Sequence, residues 1–218
     1  MISCIVFDFD GVIIDSNQIK YDAFFQIFPS EQKIGSTIKK VLDTHREKSR
    51  YFIIKQILVE LRQGEHLKIN ELEKEVFSYA DRYNTIVEKG VIECDEIEGA
   101  RKSLEELSKC YALYINSTTP LDSLKRIISQ RLLWKYFRGV YGSPKSKIEN
   151  LHDILKKGKN SIKEVLVVGD GKSDLELAQK FGCRFIGIRN VFNNFDGSSF
   201  KVLDDLTDLK SSTDEFNL

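Results

Sequence analysis

The stretch CIVFDFDGVIIDS, residues 4–16, governs how the whole chain reads. Its first four residues are apolar and partly β-branched, the pattern of a short buried strand. Two aspartates, Asp8 and Asp10, follow one residue apart as the apolar run ends. Alternation along a strand would put both on one side. Carboxylates are rarely buried unless paired or bound to a metal. Two so close need a local cation, a shared proton or solvent. Whatever relieves them must come from elsewhere in the chain.

Three further runs read as buried strands: YALYI at 111–115, EVLVV at 164–168 and RFIGI at 184–188. Helical patterns separate them. PLDSLKRIISQRLL places Pro120 at a first helical position after Thr119 as cap. SKIENLHDILKK opens on a capping box, Ser146 with Glu149, and carries Ile148, Leu151, Ile154 and Leu155 on one stripe. SDLELAQKFG repeats the box with Ser173 and Glu176 and stops at Gly182. Strands alternating with helices imply an α/β fold, a parallel sheet covered on both faces. Residues 16–89 break that rhythm with helix-like stretches at 16–28, 36–64 and 69–89, interrupted at Pro29, Gly35 and Gly64. They read as an all-helical insertion after the first strand. The tail, LTDLKSSTDEFNL, reads as an exposed end.

Across 218 residues, 33 basic and 33 acidic side chains balance to a formal net charge of zero. That argues against a general nucleic-acid or acidic-membrane surface. No apolar run approaches the ~20 residues of a membrane span. The chain opens directly on a strand-like run without a signal-peptide pattern, so a cytoplasmic location is expected. Cys4, Cys94, Cys110 and Cys183 lie far apart, with no CxxC pair. They are expected to be buried and inert rather than metal ligands or a disulfide framework. Nothing in the sequence sets an oligomeric state.

In an open parallel sheet, ligands bind beyond the carboxyl ends of the strands. Four such ends carry polar groups here. The first has Asp8, Asp10 and Gly11; the second has Asn116, Ser117 and Thr118. GVYGSPKSK brings Lys145 and Lys147 to a capped helix start, and VVGDGKSD brings Asp170 and Asp174. Carboxylates without cysteine or histidine favour a hard divalent cation, most simply magnesium. Such a cation would offset the repulsion of Asp8 and Asp10. The lysine, the hydroxyl and the helix N-termini suit phosphate oxygens. One carboxylate can attack phosphorus, while a second protonates the leaving oxygen and later activates water.

In these motifs the chain resembles the haloacid dehalogenase-like hydrolases. It is most similar to the branch with a helical cap after the first strand, which includes phosphoglycolate phosphatase and β-phosphoglucomutase. DFDGVIIDS, YINSTTP, GSPKSKIENL and VVGDGKSDLELA match the four motifs in order, from about residue 3 to 190. The resemblance implies a Rossmann-like doubly wound core over residues 1–15 and 90–218, with a cap over 16–89. It implies a magnesium-dependent phosphatase acting on a small phosphorylated metabolite, a sugar phosphate or a phosphorylated small acid. Asp8 would be the nucleophile and Asp10 the general acid/base, its backbone carbonyl reaching the metal. Gly11, Ser117 and the Thr118 amide would bind substrate phosphate, with Asn116 and Thr118 as neighbours of the motif hydroxyl. Lys147 would pair with phosphate and nucleophile, with Lys145 as the alternative. Asp170 would ligate magnesium, and Asp174 would ligate it or orient its waters; the rival reading of Asp174 is a helix N-terminal charge.

The cap would choose the substrate. Its most informative stretch is DTHREKSRYF, residues 43–52, where Arg46 and Arg50 would bind an anionic group and a solvated helix face is the rival. Lys20, on the first cap helix, would reach the site on closure or stay exposed. Two other functions share the motifs: a phosphomutase of the β-phosphoglucomutase type, and a non-catalytic phosphate-binding or regulatory domain. A dehalogenase is disfavoured, because that chemistry needs no magnesium and Asp10 adds a second acid.

Overall fold

The computed structural model describes residues 1–46, 48–67, 70–193, 195 and 199–217. Glu47 within DTHREKSRYF, Ile69 at the head of the third helical stretch and Leu218 at the end of the tail lie outside them. The described residues form two compact units, Met1–Ser16 with Cys94–Leu218, and Asn17–Glu93.

The first unit is built on six strands: β1 (Cys4–Phe7), β2 (Ala112–Pro120), β3 (Gly139–Ser143), β4 (Val165–Gly169), β5 (Arg184–Ile188) and β6 (Lys201–Leu203). All pair in parallel, in the order β3-β2-β1-β4-β5-β6. The order reverses between β1 and β4. Right-handed crossovers then send α5 (Ala100–Leu107) and α6 (Leu121–Gln130) to one face of the sheet. They send α7 (Lys147–Gly158) and α8 (Lys172–Phe181) to the other. Cys4, Val6, Val165 and Val167 pack against Leu151, Ile154 and Leu177 of α7 and α8. Ile5, Phe7, Leu113, Ile115, Leu166 and Val168 alternate to the opposite face and are fully buried there. This is the α/β doubly wound, Rossmann-like arrangement.

Several local features differ from the sequence reading. β3 and β6 were not expected as strands. Both lie at sheet edges, and half-buried residues such as Gly139, Tyr141 and Lys201 give them no continuous apolar run. The α7 capping box forms between Ser146 and Glu149. The one expected at Ser173 does not, because α8 starts two residues earlier, from Gly171 as cap. Pro120 caps α6 rather than opening it, since β2 runs through Thr119. The tail is not a loose end: α9 (Leu209–Asp214) buries Leu209, Ser212 and Thr213, and Asn217 Oδ1 accepts a 2.5 Å bond from Ile2 N. Cys110 is exposed, at the turn after α5, whereas burial pushes the Cys4 thiol up to about 12.

The second unit, inserted after β1, holds four helices: α1 (Asn17–Gln26), α2 (Gln32–His45), α3 (Arg50–Gln63) and α4 (Leu72–Glu93). Each of the last three buries one stripe, for example Val76, Ala80, Tyr83, Val87 and Val91 of α4. The single stretch expected over 36–64 is two helices, because Ser49 caps α3 by accepting from Phe52 N. Gly35 does not break a helix but sits within α2. Packing of Ile34, Ile38, Val41 and Leu42 outweighs the ~1 kcal/mol that glycine costs there. No helix among the described residues is long and apolar enough to cross a membrane.

Candidate active site

Register sets where the chemistry gathers. Phe7 pairs with both Ile115 and Val168, so the residues that follow them, Asp8, Asn116 and Gly169, continue from one level of the sheet. Asp8 continues β1 by donating its amide to Val168 O at 2.9 Å. Asp170 follows β4 directly, at the reversal of strand order where ligands of such sheets bind.

The Asp8 and Asp10 side chains turn to different partners. Gly11, at φ +76°, turns the chain back so that its amide donates to Ile14 O. Asp10 then faces hydroxyls instead: Ser16 Oγ donates to Oδ1 at 2.7 Å, and Thr119 Oγ1 and Ser117 Oγ donate to Oδ2 at 2.8 and 3.4 Å. The register of β2 shifts between Asn116 and Pro120, and such an irregularity re-aims side chains. Of these partners, Ser117 was expected as a phosphate ligand. Ser16 and Thr119 were missed, Thr119 having been read as a helix cap.

Asp8 has a different partner. Lys147 Nζ lies 2.7 Å from Asp8 Oδ2 and 2.7 Å from Asp174 Oδ1. The lysine opens α7, where a cation opposes the helix dipole, so the two carboxylates must compensate for its position. Asn116 Nδ2 donates to the Lys147 carbonyl, and Asn150 Nδ2 donates to Asn116 Oδ1. Both asparagines are buried, and they tie the start of α7 to β2. Lys145 instead pairs with Asp153 on the exposed side of α7. Lys172 pairs with Glu176 in solvent. Thr118 is exposed beside buried Ser117.

Asp8, Asp170 and Asp174 each offer a carboxylate oxygen, all within 4.8 Å of one another. Asp174 is 2 % exposed, and its Oδ2 has no hydrogen-bond partner among the described residues. Gly169 allows this closeness: a Cβ there would lie 2.2 Å from Asp174 Cβ. Burial pushes the Asp174 carboxyl above the usual carboxylate range, against the pull of Lys147. Burial also works against the Lys147 ammonium, but Asp174 and Asp8 together outweigh it and hold the lysine charged. One ammonium cannot neutralise three carboxylates. A proton on Asp174 or a further cation would lower the negative charge of the cluster. An all-oxygen donor set with an orphaned buried oxygen fits a hard divalent ion.

Lys20, Arg46 and Arg50 belong to the helical unit, where they gather about two tyrosines. Arg46, exposed, lies over the Tyr21 ring at 5.5 Å. Arg50 lies over Tyr83 at 5.3 Å and donates from Nη1 to Asn84 Oδ1 at 2.5 Å. Tyr83 Oη donates to the Lys20 carbonyl.

A parallel sheet of this order, with a lysine-bridged carboxylate cluster at its switch point, defines an α/β enzyme core. The family model for haloacid dehalogenase-like hydrolases matches residues 5–188, and the chain belongs to that family. Curated protein sequences give no match. Solved structures agree in fold across nearly the whole chain. A Haemophilus somnus protein described as a predicted phosphoglycolate phosphatase has a TM-score of 0.78 at 16% identity, covering 97% of this chain and 98% of that one. A Thermotoga maritima protein provisionally described as a β-phosphoglucomutase has 0.73 at 19%, covering 98% and 99%. The magnesium-bound Bacillus subtilis protein YfnB has 0.72 at 15%, covering 100% and 99%. The chain is thus a hydrolase of this family.

Proposed function

We propose that this hydrolase is a magnesium-dependent phosphatase of a small phosphorylated metabolite, working through a phosphorylated aspartate. The observation that carries the reading is the cluster of Asp8, Asp170 and Asp174, in which Lys147 meets Asp8 and Asp174 while one buried Asp174 oxygen has no hydrogen-bond partner among the described residues. The magnesium in YfnB, a structure of the same fold, supports the choice of ion. Asp8, Asp170 and Asp174 would hold it, with the Asp10 carbonyl. When bound, it supplies positive charge to the phosphate oxygens and to the clustered carboxylates.

The chain's own residues would do the rest. Lys147 holds the Asp8 carboxylate and offsets phosphate charge. Ser117 and the Thr118 amide bind phosphate oxygens, beside the turn at Gly11. An Asp8 oxygen attacks phosphorus, the bond to the leaving oxygen breaks, and protonated Asp10 gives that oxygen its proton. Water then attacks the phosphorylated Asp8 while Asp10 takes a proton from it, which releases phosphate and restores Asp8. Both Asp10 oxygens are engaged by hydroxyls, so proton transfer requires it to give up one of those bonds.

The test is phosphate release from a panel of phosphorylated metabolites and a generic aryl phosphate. Activity should vanish in excess chelator and return with magnesium, and Asp170→Ala should raise the magnesium requirement or eliminate activity. Full activity in chelator would defeat the metal assignment. Release of an isomeric sugar phosphate instead of free phosphate would mark a mutase.

Selection of the metabolite is assigned to the helical unit as a cap, through Arg46 and Arg50. Each alanine variant should lower kcat/KM for the metabolite by roughly ten- to a hundredfold, the worth of a charged hydrogen bond. Aryl phosphate turnover should hold. Equal losses on both substrates would instead make the arginines supports of the fold, a role Arg50 already partly fills through Asn84.

A further inference from the structure

The loop after β5 reaches back to the acidic centre. Asn190 Nδ2 donates to Asp170 Oδ2 at 2.6 Å, and Asn193 Nδ2 donates to the Asp170 backbone carbonyl. The Asn190 amide is fixed from its other end, because its Oδ1 accepts from Phe192 N at 2.7 Å and Asn193 N at 2.8 Å. A flipped amide would set NH2 against two N–H donors and oxygen against a carboxylate, so only one orientation satisfies the network. An ordinary Asx turn needs only the oxygen. Here the nitrogen, which the turn leaves unused, bonds a carboxylate twenty residues away in sequence. The same loop takes both the side chain and the main chain of one aspartate.

We propose that Asn190 and Asn193 are positioning residues that hold Asp170 in the orientation in which it meets the metal. Donation to Oδ2 stops rotation of the carboxylate, and donation to the carbonyl fixes the backbone that carries it. Partners of this kind typically change metal affinity by roughly ten- to a hundredfold when removed. The inference rests on the magnesium reading above and adds to it two residues outside the four motifs. The sequence gives only RNVFNN, a polar loop after a strand, with no local signal of a reach to Asp170.

Asn190→Ser keeps a side-chain oxygen for the turn but is too short to reach Asp170. Asn193→Ala keeps the backbone N–H that the turn uses. Magnesium chloride would be titrated calorimetrically into metal-free wild type and both variants, alongside melting curves in chelator and aryl phosphate hydrolysis against magnesium. The expected result is a Kd for magnesium weakened by roughly ten- to a hundredfold in Asn190→Ser, and by less in Asn193→Ala. The magnesium requirement of turnover should rise in parallel, with kcat at saturating ion largely kept. Should Asn190→Ser fail to fold, Asn193→Ala carries the same test. Folded variants with magnesium affinity within about twofold of wild type would overturn the proposal, and a lowered melting point with unchanged affinity would reduce the two residues to a loop staple. If wild type itself binds no magnesium by calorimetry, the metal reading falls and takes the clamp with it.

Discussion

Asp8→Asn should abolish phosphate release while leaving the protein folded. Asparagine has almost the same shape as aspartate but no anionic oxygen to attack phosphorus. Loss of a covalent nucleophile costs on the order of 10⁴-fold or more. The fold should tolerate the change because of the charge count around Lys147. In wild type, Asp8, Asp170 and Asp174 outnumber one ammonium, and Asp174 still contacts Lys147 at 2.7 Å when Asp8 is neutral. The substitution sacrifices one of the two bonds Asp8 now accepts, from Phe9 N and Lys147 Nζ, since the amide presents a donor at one of those positions. It also removes a like charge beside Asp174. A loss of ~1 kcal/mol from the bond is set against that relief. The melting temperature in chelator should therefore stay close to wild type or rise. A second readout is direct: acid-quenched protein should carry substrate phosphorus in wild type and none in the variant. Activity within about tenfold of wild type would rule out Asp8 as the nucleophile, because loss of a covalent nucleophile costs far more than that.

How legible this centre was depends on how local each signal is. Asp8 and Asp170 each follow an apolar run and Lys147 lies within a capping box, so a few neighbouring residues announce them. Register then brings Asp8 and Asp170 together, because β1 and β4 pair through to Phe7 and Val168. What stayed hidden depends on contacts between distant segments. The Asp10 side chain has hydroxyl partners, Ser16 and Thr119, that come from a returning turn and an irregular strand end. Asn150 lies one helical turn beyond Lys147 and steadies it through Asn116, a bond that no spacing rule in one segment reveals. Edge strands and the tail were missed for a related reason. β6 is half-buried along its length, and α9 is only six residues long, so neither carries a strong period. Arg46 and Arg50 stood out as a charge run, yet only the folded unit separates them: one is exposed over Tyr21 and the other is bonded to Asn84.

Lys147→Met should lose activity and stability together, and magnesium should separate the two effects. Methionine nearly fills the lysine's volume, so the change is mainly one of charge rather than a cavity. Lys147 is 7% exposed and lies 2.7 Å from two carboxylates, so its removal takes the ammonium away from Asp8 and Asp174, which cluster with Asp170. Breaking a buried ion pair from one side costs roughly 3–5 kcal/mol. Protonation of Asp174, whose carboxyl burial already raises, should recover part of this. In chelator the melting point should fall clearly below wild type. A divalent ion binding the three carboxylates should return much of that stability, and the gain on adding magnesium should exceed the wild-type gain. Turnover should not return with it. Asp8 would lack the ammonium that fixes its carboxylate, and the phosphate would lack one of its charged partners, a loss on the order of 10²–10³ in kcat. Lys147→Arg keeps the charge but needs room for a planar fork in a site built for a point charge, so it should rescue stability better than activity. Melting curves with and without magnesium, paired with phosphate release at saturating ion, distinguish these outcomes. If Lys147→Met keeps near-wild-type kcat, the lysine only neutralises its neighbours. If magnesium gives it no extra stabilisation, then Asp8, Asp170 and Asp174 do not form the ion's site.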